Sequence, residues 1–151
     1  MALEVASAAA MVEFGRRLGA LLQPGDVVIL AGPLGAGKTT LTQGIGAGLG
    51  VRGPITSPTF VISRRHPSLA NGSALVHVDA YRVDSLAELD DLDLDSDLCD
   101  AVLVAEWGLG KVDALLGDHL VVAIDRAETD TRVVSLTPVG ERGNEIVRGL
   151  E

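Results

Sequence analysis

With 151 residues and no apolar run near the roughly 20 residues of a transmembrane helix, the chain is expected to form one domain without a membrane span. Its formal net charge of -9 argues against a protein that holds nucleic acid unaided. A single cysteine, Cys99, excludes an internal disulfide, and no basic stretch precedes the first apolar residues, so we expect a cytoplasmic protein without a secretory signal.

The first third of the chain predicts two helices around a buried strand and a glycine-rich loop. Apolar residues recur at helical spacing from Ser7 to Leu22, with Ser7 as a plausible N-cap and Pro24-Gly25 beyond the end. The apolar run 26–31 is rich in β-branched residues, which is typical of a strand buried on both faces. It leads into the glycine-rich segment 32–40, and the second helix then continues to Leu49.

The rest of the chain predicts five further strands and little additional helix. One strand is expected to follow the Ser57-Pro58-Thr59-Phe60 segment and to run through Ser63, and residues 66–73 are expected to form an exposed loop. The other strands are expected at 74–79, 101–106, 120–125 and 132–137. The acidic segment 84–98 predicts a short helix with an irregular connection, and a weak helix is expected at the C-terminus.

The segment from Gly32 to Thr39 has the spacing of a phosphate loop: Gly, four residues, Gly, Lys, and Ser or Thr. Glycines allow successive backbone N–H groups to face phosphate oxygens, and the following helix presents its positive end to the same anion. Lys38 would place a charge beside the outer phosphates, and the Thr39 hydroxyl would ligate magnesium. We therefore predict a P-loop NTPase-like α/β fold, a three-layer α/β/α sandwich with a mixed, mostly parallel central sheet.

Two carboxylates, Asp79 and Glu106, each close a predicted apolar strand. A nucleotide site needs a carboxylate near the metal and often another near the attacking water, both at the sheet edge that carries the phosphate loop. The sequence does not divide these two roles between Asp79 and Glu106. His77 shares a strand face with Asp79, and we interpret it as a structural residue.

The negative charge is concentrated between Asp79 and Asp100, where nine acidic residues accompany one basic residue, Arg82. Asp93, Asp95 and Asp97 have the first three spacings of an EF-hand loop, but the required glycine and glutamate positions hold Leu98 and Val104. A calcium site is therefore rejected. A solvated acidic face is favoured over a docking surface for a basic partner, and Arg82 fits either phosphate stabilisation or pairing with this face.

Four motifs occur in the order seen in the TsaE (YjeE) family, and residues 7–125 resemble that family. They are Gly32-Pro33-Leu34-Gly35-Ala36-Gly37-Lys38-Thr39-Thr40, Ser57-Pro58-Thr59-Phe60, His77-Val78-Asp79-Ala80-Tyr81-Arg82 and Glu106-Trp107. The resemblance implies a bacterial ATPase that binds ATP or ADP with magnesium and serves threonylcarbamoyladenosine modification of tRNA beside TsaB and TsaD. It further implies slow hydrolysis that partner proteins stimulate, and we expect weak or no direct tRNA contact because the chain is acidic. The chain departs from the residues usual in the family at Pro33, Ala80 and Gly108. These departures affect the shape of the loops more than the chemistry of the site.

The resemblance also implies individual site residues. Glu106 would serve magnesium together with Thr39, and Asp79 would assist hydrolysis. Thr59 would approach the terminal phosphate, and Trp107 would form part of the nucleotide site or of a partner-sensitive switch. The adenine would lie near Ala8, and the phosphates would be cradled by Leu34, Gly35, Ala36, Gly37, Lys38 and Thr39, followed by Thr40.

Three other classes of nucleotide-binding protein fit the sequence less well than the ATPase. A small-molecule kinase of this size carries an arginine-bearing lid after its middle strands, whereas the corresponding segment here is acidic. A GTP-binding switch needs Asn-Lys-x-Asp, and neither Asn71 nor Asn144 is followed by lysine. The Leu-Ser-Gly-Gly signature of ABC proteins is also absent. The ATPase is favoured, with the kinase as the alternative.

Overall fold

A computed structural model of the chain describes residues 1–33, 37–51, 53, 55, 63–69, 72–79, 100–106, 117–127 and 131–151. The helices among these residues are α1 (Ala8–Leu21), α2 (Lys38–Leu49) and α3 (Gly140–Leu150). The strands are β1 (Ala2–Val5), β2 (Val27–Ala31), β3 (Ser63–His66), β4 (Ala74–Asp79), β5 (Ala101–Glu106), β6 (His119–Arg126) and β7 (Arg132–Val139). None of these three helices is long and apolar enough to cross a membrane.

The strands form one sheet in the order β1-β7-β6-β2-β5-β4-β3. Its central strands β6, β2, β5 and β4 are parallel, whereas β1 with β7, β7 with β6, and β3 with β4 pair antiparallel. The prediction of a mixed sheet with a parallel centre is therefore confirmed. Because β2 has parallel neighbours on both sides, the chain that follows Ala31 leaves the sheet from the middle of its carboxyl edge.

The sheet has two buried faces, and the described helices pack on one of them. Val28 and Leu30 of β2 join a core cluster that includes residues from α1, α2 and α3. Val27 and Ile29 alternate onto the opposite face, in a second buried cluster with residues of β4, β5 and β6. The prediction of a second helical layer falls on residues outside the described ones.

Helices α1 and α2 lie in very close contact along glycines of both. A Cβ atom added to Gly44 would overlap the carbonyl oxygen of Val12 and lie 2.9 Å from the Cα of Gly15. One turn further along both helices, Gly48 lies against the backbone of Arg16. The two helices therefore run in the same direction and begin at the same edge of the sheet.

An ion pair joins α3 to the start of β2. The Arg142 guanidinium donates to both carboxylate oxygens of the buried Asp26, each at 2.8 Å, and to the carbonyl oxygen of Leu21 at 2.8 Å. Asp26 also accepts from the backbone N–H of Gln23 at 2.7 Å. These hydrogen bonds to Asp26 raise the pKa of the Arg142 guanidinium above its usual range. The pair fixes the end of α1 and the start of β2 relative to each other.

Most predicted elements are present, and two expectations are wrong. Ser7 caps α1 by accepting from the N–H of Ala10 at 3.1 Å, and β4 and β5 have their predicted bounds. The strand expected to end at Ser63 continues to His66, which pairs with Leu75 and does not start a loop. Strand β1 was not predicted, because only one of its four residues is buried. The segments 57–62 and 84–98 lie outside the described residues.

Candidate functional site

The carboxyl ends of β2, β5 and β4 meet at one edge of the sheet. Glu106 at the end of β5 pairs in register with Leu30 on one side and with Asp79 on the other. Neighbouring strands lie about 4.8 Å apart, so the backbones of the two carboxylate residues are adjacent. The Gly32–Thr39 segment begins two residues beyond Leu30, at the same edge.

Lys38 links the two ends of the glycine-rich segment through a hydrogen bond. Its side chain is buried, and Nζ donates to the carbonyl oxygen of Gly32 at 2.9 Å. Gly37 precedes α2 with a φ of 115°, a conformation that side-chain-bearing residues rarely adopt. Gly37 is therefore set by its backbone conformation and Lys38 by its side-chain hydrogen bond to Gly32, and residues 34–36 lie outside the described residues.

The beginning of α2 carries no negative group of its own. Gly37 has no side chain that could cap the helix, and the first turn, from Lys38 through Thr39 and Thr40, contains no acidic residue. The backbone N–H groups of a helix start need acceptors, and the helix dipole makes this end positive. The start of α2 is therefore suited to an anion such as a phosphate group.

The carboxyl group of Glu106 is buried beside a histidine. The Glu106 side chain is 8% exposed and that of His77 is fully buried, and Nε2 of His77 lies 3.4 Å from Oε1 of Glu106. Within the described part of the chain, neither this oxygen nor either ring nitrogen has a hydrogen-bond partner. Leaving a buried polar group unpaired costs about 1–3 kcal/mol, and more for a charged one, so Glu106 is suited to a cation.

The available oxygen donors fit magnesium. Carboxylate and hydroxyl oxygens, as in Glu106 and Thr39, are the hard ligands that magnesium prefers. Among the residues with described positions, no group of three His, Cys, Asp or Glu side chains could hold a metal by itself. Magnesium sites usually take only one or two protein ligands and complete the shell with waters and substrate phosphates, which agrees with this sparse set.

The remaining predicted site residues divide into two groups. Ala8 opens α1, and a Cβ atom added to Gly37 would lie 3.5 Å from the end of the Met11 side chain, so the starts of α1 and α2 are neighbours. Asp79 is placed by its backbone at the end of β4. Thr59, Trp107, Leu34, Gly35 and Ala36 lie outside the described residues, as do Tyr81 and Arg82.

One residue that we interpreted as structural lies at this edge. His77 precedes Asp79 by two residues on β4 and pairs in register with Val104, which precedes Glu106 by two residues on β5. Sequence reasoning placed His77 on the face of Asp79 but gave it no connection to Glu106. The sequence signal was a lone histidine inside an otherwise apolar strand that ends on a carboxylate.

A central parallel strand, a glycine-rich loop and a helix with an uncapped start define the class of α/β proteins with a phosphate-loop pattern. Comparison with known proteins narrows this class. Residues 5–134 match the family model described as "Threonylcarbamoyl adenosine biosynthesis protein TsaE". The chain belongs to the TsaE family.

Individual relatives extend the same comparison. The tRNA threonylcarbamoyladenosine biosynthesis protein TsaE of Streptomyces coelicolor is 61% identical over 137 residues, which cover 87% of this chain and 93% of that protein. The proteins of the same name from Mycobacterium tuberculosis and Bacillus subtilis are 53% and 39% identical, over 80% and 82% of this chain and 77% and 76% of those proteins. The crystal structure of Bacillus subtilis YdiB matches with a TM-score of 0.77 and 30% identity, over 99% of this chain and 93% of that one.

Proposed function

We propose that the protein is a magnesium-dependent ATPase that supports threonylcarbamoyladenosine modification of tRNA in a complex with TsaB and TsaD homologues. The names of its relatives give the pathway. The observation that carries the ATPase is the hydrogen bond from Lys38 to Gly32 at the start of α2, at the sheet edge that also carries the buried Glu106. An uncapped helix start, a lysine and an acidic side chain are the groups that nucleotide phosphates and their metal require.

In this proposal the glycine-rich segment and the residues at the strand ends have separate roles. The N–H groups of residues 34–37 and the ammonium of Lys38 bind the phosphates, with Thr40 in the same helical turn. Thr39 and Glu106 hold magnesium, which neutralises phosphate charge when it is bound. Asp79 orients the attacking water, and Thr59 approaches the terminal phosphate. Ala8 and Trp107 complete the nucleotide site.

We expect the purified protein to hydrolyse ATP slowly, and we expect the rate of hydrolysis to rise when TsaB and TsaD are added. An ATPase that lacks part of its machinery can gain about tenfold or more when a partner completes the site. The measurement is phosphate release from labelled ATP, with each protein alone and with the mixture. A Lys38→Met variant in the same mixture measures contaminating ATPase activity. Hydrolysis that is unchanged by the partners contradicts the complex, and labelled phosphate on a small molecule supports the kinase instead.

Replacing the two carboxylates is expected to separate metal binding from hydrolysis. Glu106→Gln removes a magnesium ligand, so the magnesium concentration for half-maximal activity should rise by about 10- to 100-fold. Asp79→Asn should lower the turnover rate while leaving this magnesium requirement unchanged. The measurement is a magnesium titration of the ATPase rate.

The matched control is Glu141→Gln, which changes an exposed carboxylate on α3. It should leave both the magnesium requirement and the turnover rate unchanged. A Glu106→Gln variant with the normal magnesium requirement would remove Glu106 from the metal site.

A further inference from the structure

Position 77 is an unusual place for a histidine. It lies on the face of β4 that also carries Leu75, opposite Val104 of β5, and its side chain is fully buried. An apolar side chain would fill this volume without leaving polar atoms unpaired. Both ring nitrogens instead lack a hydrogen-bond partner within the described part of the chain, so packing alone does not account for the residue.

The polar atom that His77 faces is Oε1 of Glu106. The two residues are diagonal neighbours across β4 and β5, and Nε2 lies 3.4 Å from Oε1. A movement of a few tenths of an ångström brings this separation into the range of an N–H···O hydrogen bond. A neutral imidazole carries one N–H, and a proton on Nε2 places a donor toward the carboxylate where a lone pair would repel it.

We propose that His77 is a positioning residue, which donates from Nε2 to Oε1 of Glu106 and holds that carboxylate in the orientation that magnesium requires. The inference rests on the proposed function, because it assigns Glu106 to the metal. A carboxylate with one oxygen held by an internal donor keeps its remaining lone pairs for the metal. Residues that orient metal ligands in this way typically change metal affinity about 10- to 100-fold when they are removed.

Three variants test this role. His77→Leu removes the donor and keeps an apolar side chain of similar size, and His77→Gln keeps an N–H donor at a similar reach. Leu75→Val perturbs the same face of the same strand two residues away and is the matched control. The probes are Mn²⁺, followed by electron paramagnetic resonance in the presence of ADP, and ADP alone in EDTA, followed by calorimetry.

His77→Leu is expected to weaken Mn²⁺ binding about 10- to 100-fold while the affinity for ADP in EDTA stays within about threefold of the wild type. His77→Gln should recover at least half of this loss on a logarithmic scale, and Leu75→Val should show none of it. The thermal midpoint of His77→Leu should fall below that of His77→Gln, because Oε1 of Glu106 stays buried and loses its donor. A histidine that only fills space predicts normal Mn²⁺ affinity in His77→Leu, whatever its thermal midpoint.

A double-mutant cycle tests whether His77 acts through Glu106. In a Glu106→Gln background the His77→Leu change should lose its effect on Mn²⁺ affinity, since there is no carboxylate left to orient. An effect of the same size in both backgrounds would overturn the proposal. If His77→Leu does not fold, His77→Met takes its place, because methionine also lacks an N–H donor, and normal Mn²⁺ affinity in that variant would overturn the proposal.

The proposed function and the role of His77 can be contradicted separately. A wild-type protein that binds neither ADP nor Mn²⁺ with ADP would contradict the proposed function and this inference together. A wild-type protein that binds both, with a His77→Leu variant that binds Mn²⁺ equally well, would contradict the role of His77 alone.

Discussion

Replacing Lys38 with methionine is expected to lower the affinity for ATP by about 100-fold. Lys38 is the first residue of α2, and its ammonium donates to the carbonyl oxygen of Gly32 at 2.9 Å, so it is held beside the start of the glycine-rich segment. A charge-assisted hydrogen bond contributes about 1.5–3 kcal/mol, and each 1.4 kcal/mol is a tenfold change in affinity. If Lys38 contacts the outer phosphates as proposed, its loss accounts for an effect of this size.

The choice of methionine separates charge from packing. The Lys38 side chain is buried, and methionine keeps an unbranched stem of similar length while it removes the ammonium. The measurement is a calorimetric titration with ATP, together with thermal unfolding to show that the variant is folded. Arg148→Ala removes an exposed positive charge on α3 and should leave the affinity unchanged. An affinity for ATP within threefold of the wild type in Lys38→Met would remove Lys38 from the phosphate site.

Structural features whose physical cause lies in nearby residues of the chain could be predicted from the sequence. The bounds of β4 and β5 follow from apolar runs, interrupted only by His77 in β4, that end at Asp79 and Glu106. The start of α1 follows from the capping side chain of Ser7, and the end of α2 from Gly50. In each of these cases the physical cause lies within a few residues of the feature, so a local pattern is sufficient.

Features that depend on distant partners could not be predicted in this way. Strand β1 has an alternating, mostly exposed pattern and is defined by its pairing with β7, about 130 residues away in the chain. The pairing of Asp26 with Arg142 likewise joins two ends of the sequence. The approach of His77 to Glu106 depends on the register of β4 against β5, and a shift of one residue would place the histidine on the opposite face.

Packing between α1 and α2 is a further feature of this kind, and it gives the largest expected effect on stability. Gly44→Ala should lower the free energy of unfolding by about 2 kcal/mol, although alanine favours a helix by about 1 kcal/mol relative to glycine. The added methyl group would overlap the carbonyl oxygen of Val12 and lie 2.9 Å from the Cα of Gly15. These are backbone atoms of a packed helix, so they cannot rotate away, and the two helices must separate.

The control is the same substitution in α3. A methyl group at Gly149 would lie 2.9 Å from the end of the Leu21 side chain, which can change its rotamer. Gly149→Ala should therefore change the free energy of unfolding by less than about 1 kcal/mol. Urea denaturation measures both variants, and a loss of 2 kcal/mol corresponds to a fall of about 4–8 °C in the midpoint of thermal unfolding. Equal stability of the two variants would contradict the close packing of α1 on α2.

The same contact bears on the candidate site. Because α1 and α2 run in the same direction, their separation at Gly44 also moves Met11 away from Gly37, where α2 begins. Gly44→Ala should therefore weaken ATP binding in the protein that remains folded, by a smaller factor than Lys38→Met because the lysine is still present. Gly149→Ala, which leaves α1 against α2, should bind ATP normally. ATP affinity that is unchanged in Gly44→Ala would mean that the start of α2 is positioned by β2 and its loop alone, independently of α1.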